Sequence, residues 1–392
     1  MATRRPKRKS WIGFRERDLA IAREERGRSE DFVHKPPLLL LLTLAVLSLP
    51  SQTPRKAAPA EKFKSVWEPV NYPQDASLHD VFFVSAEVGW AVGMVSSDAG
   101  EGGVILHTAD GGQHWDVQLG DPHSATRGFE ELFFLDAKHG WATQGGSHLL
   151  RTTDGETWED LGELAAQAAF TFATPEVGLF VHSKDISRTA DSGRSWKHFY
   201  HCHDKVEVNG LTQDAECEFH SVACPTPQVC YAATQRLPNK AAAIAESDDG
   251  GLTWTISSHI PEASGGDYGL LFTDAKTGFM RGFAEIWSTS DGGQNWRKVP
   301  GTFPGGSAVR IHFADHEVGW LANGTTIAYT SDGGKRWNTM EVRLPVAINA
   351  SSLPARDRGY VVGDHGMVYR YRVVPIDYSS KGMLAAPMIA AK

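Results

Sequence analysis

Six stretches of this chain repeat one pattern: Ser or Thr, any residue, Asp, then Gly, then Trp. They are Thr108-Ala-Asp110-Gly-Gly-Gln-His-Trp115, Thr189-Ala-Asp191-Ser-Gly-Arg-Ser-Trp196, Ser247-Asp-Asp249-Gly-Gly-Leu-Thr-Trp254, Thr289-Ser-Asp291-Gly-Gly-Gln-Asn-Trp296, Thr330-Ser-Asp332-Gly-Gly-Lys-Arg-Trp337 and the shorter Thr152-Thr-Asp154-Gly-Glu-Thr-Trp158. Their tryptophans are 38 to 58 residues apart, which is the signature of a repeat array. An Asp in such a stretch accepts hydrogen bonds from amides two or three residues on, and Gly supplies the positive φ that closes the turn. The Trp then opens the next strand. Asp110, Asp154, Asp191, Asp249, Asp291 and Asp332, with Trp115, Trp158, Trp196, Trp254, Trp296 and Trp337, are therefore expected to shape turns. They are poor candidates for acid catalysis, because their oxygens are already engaged.

A second element precedes each turn. Phe82-Phe-Val-Ser-Ala-Glu-Val-Gly89-Trp90-Ala-Val-Gly93 is the fullest copy, with others at Phe133 to Trp141 and Phe313 to Trp320 and weaker ones at Phe172 to Leu179 and Phe272 to Phe279. Short alternating apolar runs broken by turn residues read as antiparallel strands. Each module then holds strands A and B, a variable loop, strand C, the Asp turn and strand D. Four strands in about 40 residues is the period of a propeller blade. The expected fold is all-β, a single seven-bladed propeller over residues 61–374, with eight blades as the alternative count. The last module, Gly359 to Tyr371, has no Asp turn after it, whereas Ser65-Val-Trp67-Glu-Pro-Val70 stands alone before the first. Pairing this N-terminal strand onto the last blade would close the ring and leave no open inner edge.

Cys224-Pro-Thr-Pro-Gln-Val-Cys230 occupies the place of the Phe-to-Gly-Trp turn in the fourth module, and Cys202 and Cys217 bracket an insertion before it. Local proximity favours bridges Cys202–Cys217 and Cys224–Cys230 among the three pairings that four cysteines allow. Such bridges belong to an exported chain.

The charge distribution agrees. Residues 1–60 carry 13 Lys/Arg against 6 Asp/Glu, which leaves 26 basic and 41 acidic residues, a balance of −15, for the rest. A body this acidic repels phosphate backbones, so nucleic acid is not an expected partner. Leu38 to Leu49 is apolar apart from Thr43 and Ser48, follows basic residues and precedes Pro50 and a small-residue stretch. That suits a signal-peptide core better than a membrane span. The charged stretch before it is long for such a leader, and a start nearer Val33 would give a conventional one. A short uncleaved anchor is the alternative. The expected location is periplasmic or extracellular, with any membrane attachment through this segment, and 375–392 reads as a tail.

His201-Cys202-His203-Asp204 is the one cluster with metal-ligand residue types, but its spacing is too tight for two imidazoles on one metal and nothing completes four ligands. No metal or cofactor is expected. Asp-turn repeats also decorate sialidases, which grip a carboxylate with several arginines. Here Arg310-Ile-His is a poor imitation of their early Arg-Ile-Pro signature. Glycosidases with similar repeats place two carboxylates between two propellers, and this chain has length for one. No phosphate loop or nucleophile elbow is found. What remains is a binding surface. In this register the B–C loops and D–A connections share the face opposite the Asp turns. That face collects Arg127, Arg236, Lys240, Arg281, Arg310, Asp364 and His365, a rim suited to a carboxylate or an acidic protein segment.

Phe-x-Asp/Ser-x-x-x-Gly-Trp-x-x-Gly combined with Ser/Thr-x-Asp-Gly-Gly-x-x-Trp, at single-propeller length behind an export signal, resembles the photosystem II assembly/stability factor propellers and their bacterial relatives. The likeness covers about residues 63–372. It implies a non-enzymatic seven-bladed propeller that binds a partner protein during assembly of a membrane complex, through an arginine-rich face; the chain itself is expected to be a monomer. The four cysteines and the insertion depart from that pattern. A glycan-processing or glycan-binding propeller is the alternative.

Overall fold

The structure, a computed structural model, describes residues 63–97, 100–120, 127–164, 169–239, 241–261, 269–305 and 310–376. The leader, its apolar run 38–49 and the chain beyond 376 lie outside these residues. Among the described residues there are seven four-stranded antiparallel sheets, one two-stranded sheet and no helix. Six blades run in chain order from inner to outer strand: residues 76–119, 129–163, 169–201, 219–260, 269–298 and 311–341. Blade 7 takes strands A to C from Ala350–Ala355, Arg358–Val362 and Val368–Pro375, and strand D from Phe63–Pro69. The N-terminal strand thus closes the ring, but as the outermost strand; the inner edge of blade 7 is Ala350–Ala355. The C-terminal module supplies only three strands in inside-out order, so the one it lacks is the outer one.

Aromatic stacking joins the blades. The residue after the Gly of strand B, or after Cys230 in blade 4, lies flat on the Phe that ends strand A of the next blade. Trp90 stacks on Phe134 (3.9 Å between centroids), Trp141 on Phe172 (3.6 Å), Tyr231 on Phe272 (4.0 Å) and Phe279 on Phe313 (4.9 Å). Tyr360 of blade 7 stacks on Phe83 of blade 1 at 3.5 Å, which completes the circle. The strand-D tryptophans 115, 158, 296 and 337 meet the same phenylalanines edge-on, at 5.9–6.2 Å and 84–89°. Each such pair adds roughly 0.5–1.5 kcal/mol to the burial of its rings. The Gly of the Gly-Trp pair is needed because the Phe ring covers it: a Cβ at Gly140 would lie 2.2 Å from Phe134.

The Asp turns share one hydrogen-bond plan. Thr108 Oγ1 accepts from the Gly112 amide (2.9 Å) and donates to Asp110 Oδ1 (3.0 Å), which also accepts from the His114 amide (3.0 Å). Thr189/Asp191, Ser247/Asp249, Thr289/Asp291 and Thr330/Asp332 repeat it, and the shorter Thr152/Asp154 turn does so one residue tighter. The Ser195 hydroxyl holds Asp191 down to about 2, and the Thr253 hydroxyl does the same for Asp249. These carboxylates are part of the folding hardware.

Blade 4 departs from the pattern. Its Phe and Gly positions are Cys224 and Cys230, and the two are bonded to each other. A covalent link replaces the ring-over-glycine contact, and Leu179 of blade 3 and Trp254 pack in the same core. Cys202–Cys217 closes the base of a hairpin, His203–Val208 with Leu211–Glu216. Its turn is Asn209-Gly210 with φ of 53° and 78°, as a two-residue primed turn requires. Val206 and Ala215 fasten the hairpin into the core between blades 3 and 4.

Candidate functional site

Antiparallel order puts the B–C turns and D–A connections on one face, here the loop face, and the A–B and Asp turns on the other. Of the side chains singled out from the sequence, those described do not form one basic rim. Arg310, at the head of strand A of blade 6, reaches across the inner strands. Its Nη1 donates to Asp80 Oδ2 of blade 1 (2.8 Å) and to the Leu132 carbonyl of blade 2 (3.1 Å), and its Nη2 lies 3.4 Å from Glu131 Oε1. Asp80, 5% exposed, also accepts from the Leu132 and Val81 amides, at 2.8 and 2.9 Å. Burial pushes its pKa up, and Arg310 leads the interactions that pull it back. His312 lies beside this pair; burial, then the Arg310 charge, pushes it down to about 3, so it is neutral. Asp80, Arg310, His312, Asn349 and Ser351 line a small cavity there.

Arg281 is also not on the rim. It is 3% exposed, because Gly278–Arg281 is buried along its whole length, and its Nη1 donates to the Gly282 carbonyl at 3.1 Å. This corrects the expectation of an accessible guanidinium. Asp364 Oδ1 accepts from Ser77 Oγ (2.6 Å) and Asn349 Nδ2 (3.1 Å), and His365 Nδ1 is 2.9 Å from Asp75 Oδ1. Both residues tie blade 7 to the start of blade 1, and the Ser77 hydroxyl keeps Asp364 below the usual carboxylate range. Arg127 is exposed, with its stem over Gly145. The side chain of Arg236 and the whole of Lys240 lie outside the described residues. The His201 to Asp204 cluster disperses onto separate partners: His201 with Asp185 at 2.7 Å, His203 with Asp214 at 3.5 Å and Asp204 with His259 at 2.6 Å.

Two exposed apolar features were not singled out. Phe283, 57% exposed, stands in the B–C turn of blade 5 on the loop face. Its signal was an aromatic residue inside a turn, Gly282-Phe-Ala. On the Asp-turn face, a groove of about 550 Å³ opens between the A–B turns of blades 1 and 2, lined by Phe82, Phe83, Val84, Val88, Phe134 and Leu135. Its residues belong to the Phe-to-Gly-Trp repeat, so its apolar lining was legible; its openness was not.

These features define a closed repeat propeller that offers turns and grooves on a rigid ring. Residues 59–223 match the model of the photosynthesis system II assembly factor YCF48 family. No curated protein matches the chain in sequence. Among solved structures, YCF48 from Cyanidioschyzon merolae is similar at 18% identity and a TM-score of 0.54, covering 78% of this chain and 98% of that one. A structure of YCF48 bound to D1 peptide is similar at 19% identity and a TM-score of 0.54, covering 78% and 96%. The GH74 enzyme of Niastella koreensis is similar at 13% identity and a TM-score of 0.53, covering 77% of this chain and 53% of the enzyme. At these identities the structural likenesses show the fold.

Proposed function

We propose that this chain is an exported, non-catalytic propeller that binds a partner protein and assists the assembly of a membrane complex. The match of residues 59–223 to the YCF48 family carries the reading. The similar structure with a bound D1 peptide supports a peptide segment as the thing recognised. In place of the loop face, whose Arg281 is buried and whose Arg310 is paired, the contact surface is assigned to the Asp-turn face, where the groove between blades 1 and 2 offers apolar lining. Against a GH74-like activity stands the engagement of Asp80 and Glu131, inner-strand carboxylates, by Arg310.

The test is purification of the tagged full chain from solubilised membranes of its native host. Subunits of one membrane complex should co-purify, and the mature N-terminus should fall between residues 50 and 62 if the leader is cleaved. Recovery of the chain alone, together with its retention on polysaccharide, would replace this reading with the glycan-binding one.

A further inference from the structure

We propose that the seam between blades 7 and 1 is an anion site that takes a carboxylate of the partner; this rests on the reading of a protein partner just given. In an antiparallel sheet, directly paired residues share a face. The register of blade 7 pairs Arg358 with Arg372, Tyr360 with Arg370 and Glu68 with Arg370, and Lys64 stands two residues before Val66, the partner of Arg372. One face of the sheet therefore carries Lys64, Arg358, Arg370 and Arg372 against a single carboxylate, Glu68. Tyr360 identifies it as the face turned to blade 1, since its ring lies on Phe83 and its hydroxyl donates to the Ala86 carbonyl at 2.6 Å.

Glu68 is already engaged by both Arg370 and Arg372. Its Oε2 accepts from Arg370 Nε and Nη2 at 3.2 and 2.9 Å, and its Oε1 accepts from Arg372 Nη2 at 2.6 Å. Arg370 Nη1 is spent on the Gly111 carbonyl in the Asp turn of blade 1, at 3.0 Å. The Nε atoms of Arg358 and Arg372 are buried and have no hydrogen-bond partner. Like charges placed directly opposite destabilise a sheet, and a buried guanidinium N–H without an acceptor is unfavourable. Blade 7 keeps both features on a body whose balance over residues 61–392 is −15. A second anion at the outer guanidinium nitrogens would relieve the charge repulsion.

The planar guanidinium fork selects a carboxylate, and the way Glu68 is held shows that this cluster grips one from several sides. Arg372 keeps 36% of its side chain exposed and Arg358 is half-buried, so their outer nitrogens can be reached from the Asp-turn face. The Arg358 guanidinium also hydrogen-bonds the Tyr360 hydroxyl, and Glu87 contributes an opposing charge near it. Phe83 both supports Tyr360 and lines the apolar groove. The ligand that fits is thus a peptide segment with apolar residues followed by an acidic side chain or a free chain end.

The test uses the full chain and a short apolar peptide ending in Glu with a free terminus, compared with the same peptide ending in amidated Gln. Titration calorimetry at low salt should show the acidic peptide binding about tenfold tighter or more. Arg358→Gln and Arg372→Gln should each remove that preference. Glu68→Gln, which deletes the resident carboxylate, should increase it. Equal affinity for the two peptides, or a preference untouched by both arginine substitutions, overturns the proposal. Arginine Nε–H resonances of the unsubstituted chain give a readout that no folding defect can imitate: two should shift with acetate, and unmoved resonances overturn the site. If a membrane complex co-purifies but the peptides bind equally, the site falls and the assembly reading stands; a firm acidic preference without a complex gives the reverse.

Discussion

If the Cys224–Cys230 bridge replaces the ring-over-glycine contact of the other blades, then Cys224→Phe with Cys230→Gly should convert blade 4 to the common pattern and nearly preserve its stability. The bridge spans six positions. The chain-entropy relation for a loop that short gives about 2 kcal/mol. Burying a Phe side chain is worth about 1.5–3 kcal/mol, and an edge-on contact with Trp254 adds roughly 0.5–1.5 kcal/mol. Against this stands a Gly in place of Cys230, at about 0.5–1 kcal/mol. The double substitution should therefore fall within about 1–2 kcal/mol of the unsubstituted chain, whereas Cys224→Ala alone should lose about 2 kcal/mol or more. Urea unfolding with and without reductant distinguishes the cases. The unsubstituted chain should lose roughly 5 kcal/mol on reduction, the sum of this bridge and about 3 kcal/mol for Cys202–Cys217 with its separation of 15. The double variant should lose only the second share. If it is less stable than Cys224→Ala, Leu179 and Trp254 do not leave the space that Phe134 or Phe272 occupy in their blades, and the equivalence is refuted.

Arg310→Met should cost about 3–5 kcal/mol, because it strands Asp80 at 5% exposure, and Asp80→Asn in the same chain should return part of it; urea midpoints report both. Gly140→Ala should cost roughly 1–3 kcal/mol in the same assay, since its Cβ would sit 2.2 Å from the Phe134 ring. Acid should unfold the propeller progressively. Asp191 and Asp249 are depressed to about 2, so their contribution is complete above the ordinary Asp value near 4 and disappears as pH falls toward 2. A melting temperature that does not fall between pH 4 and 2 would contradict the turn hydrogen bonds. Deletion of the chain up to and including Pro69 removes Trp67, stacked 6.0 Å from Trp320, together with Glu68; it should lower the melting temperature and open blade 7 to amide exchange.

The ring was legible because its determinants are local and recur. Asp110 and Gly112 form their turn from within five residues, and Trp90 needs only the Phe of the next module. The disulfides followed from proximity along the chain, and for Cys224 and Cys230 from the same alignment, since they stand where a Phe and a Gly stand elsewhere. The hairpin of the insertion had a local signal too, Asn209-Gly210 between two six-residue strands, which the bracketing cysteines overshadowed. What sequence reasoning could not reach were the partners of charges. Register placed Arg310 on the correct face, but its use depends on Asp80, 230 positions earlier and brought near only by ring closure. Arg358 and Arg372 went unnoticed for the same reason. They become neighbours through strand pairing, and their excess over Glu68 exists only once Phe63–Pro69 has crossed from the start of the chain to the outer edge of blade 7. Repeats specify the scaffold by local agreement, whereas a site is made where distant segments meet at the point of closure. In this propeller that point is the seam of blades 7 and 1, where charge balance is left incomplete.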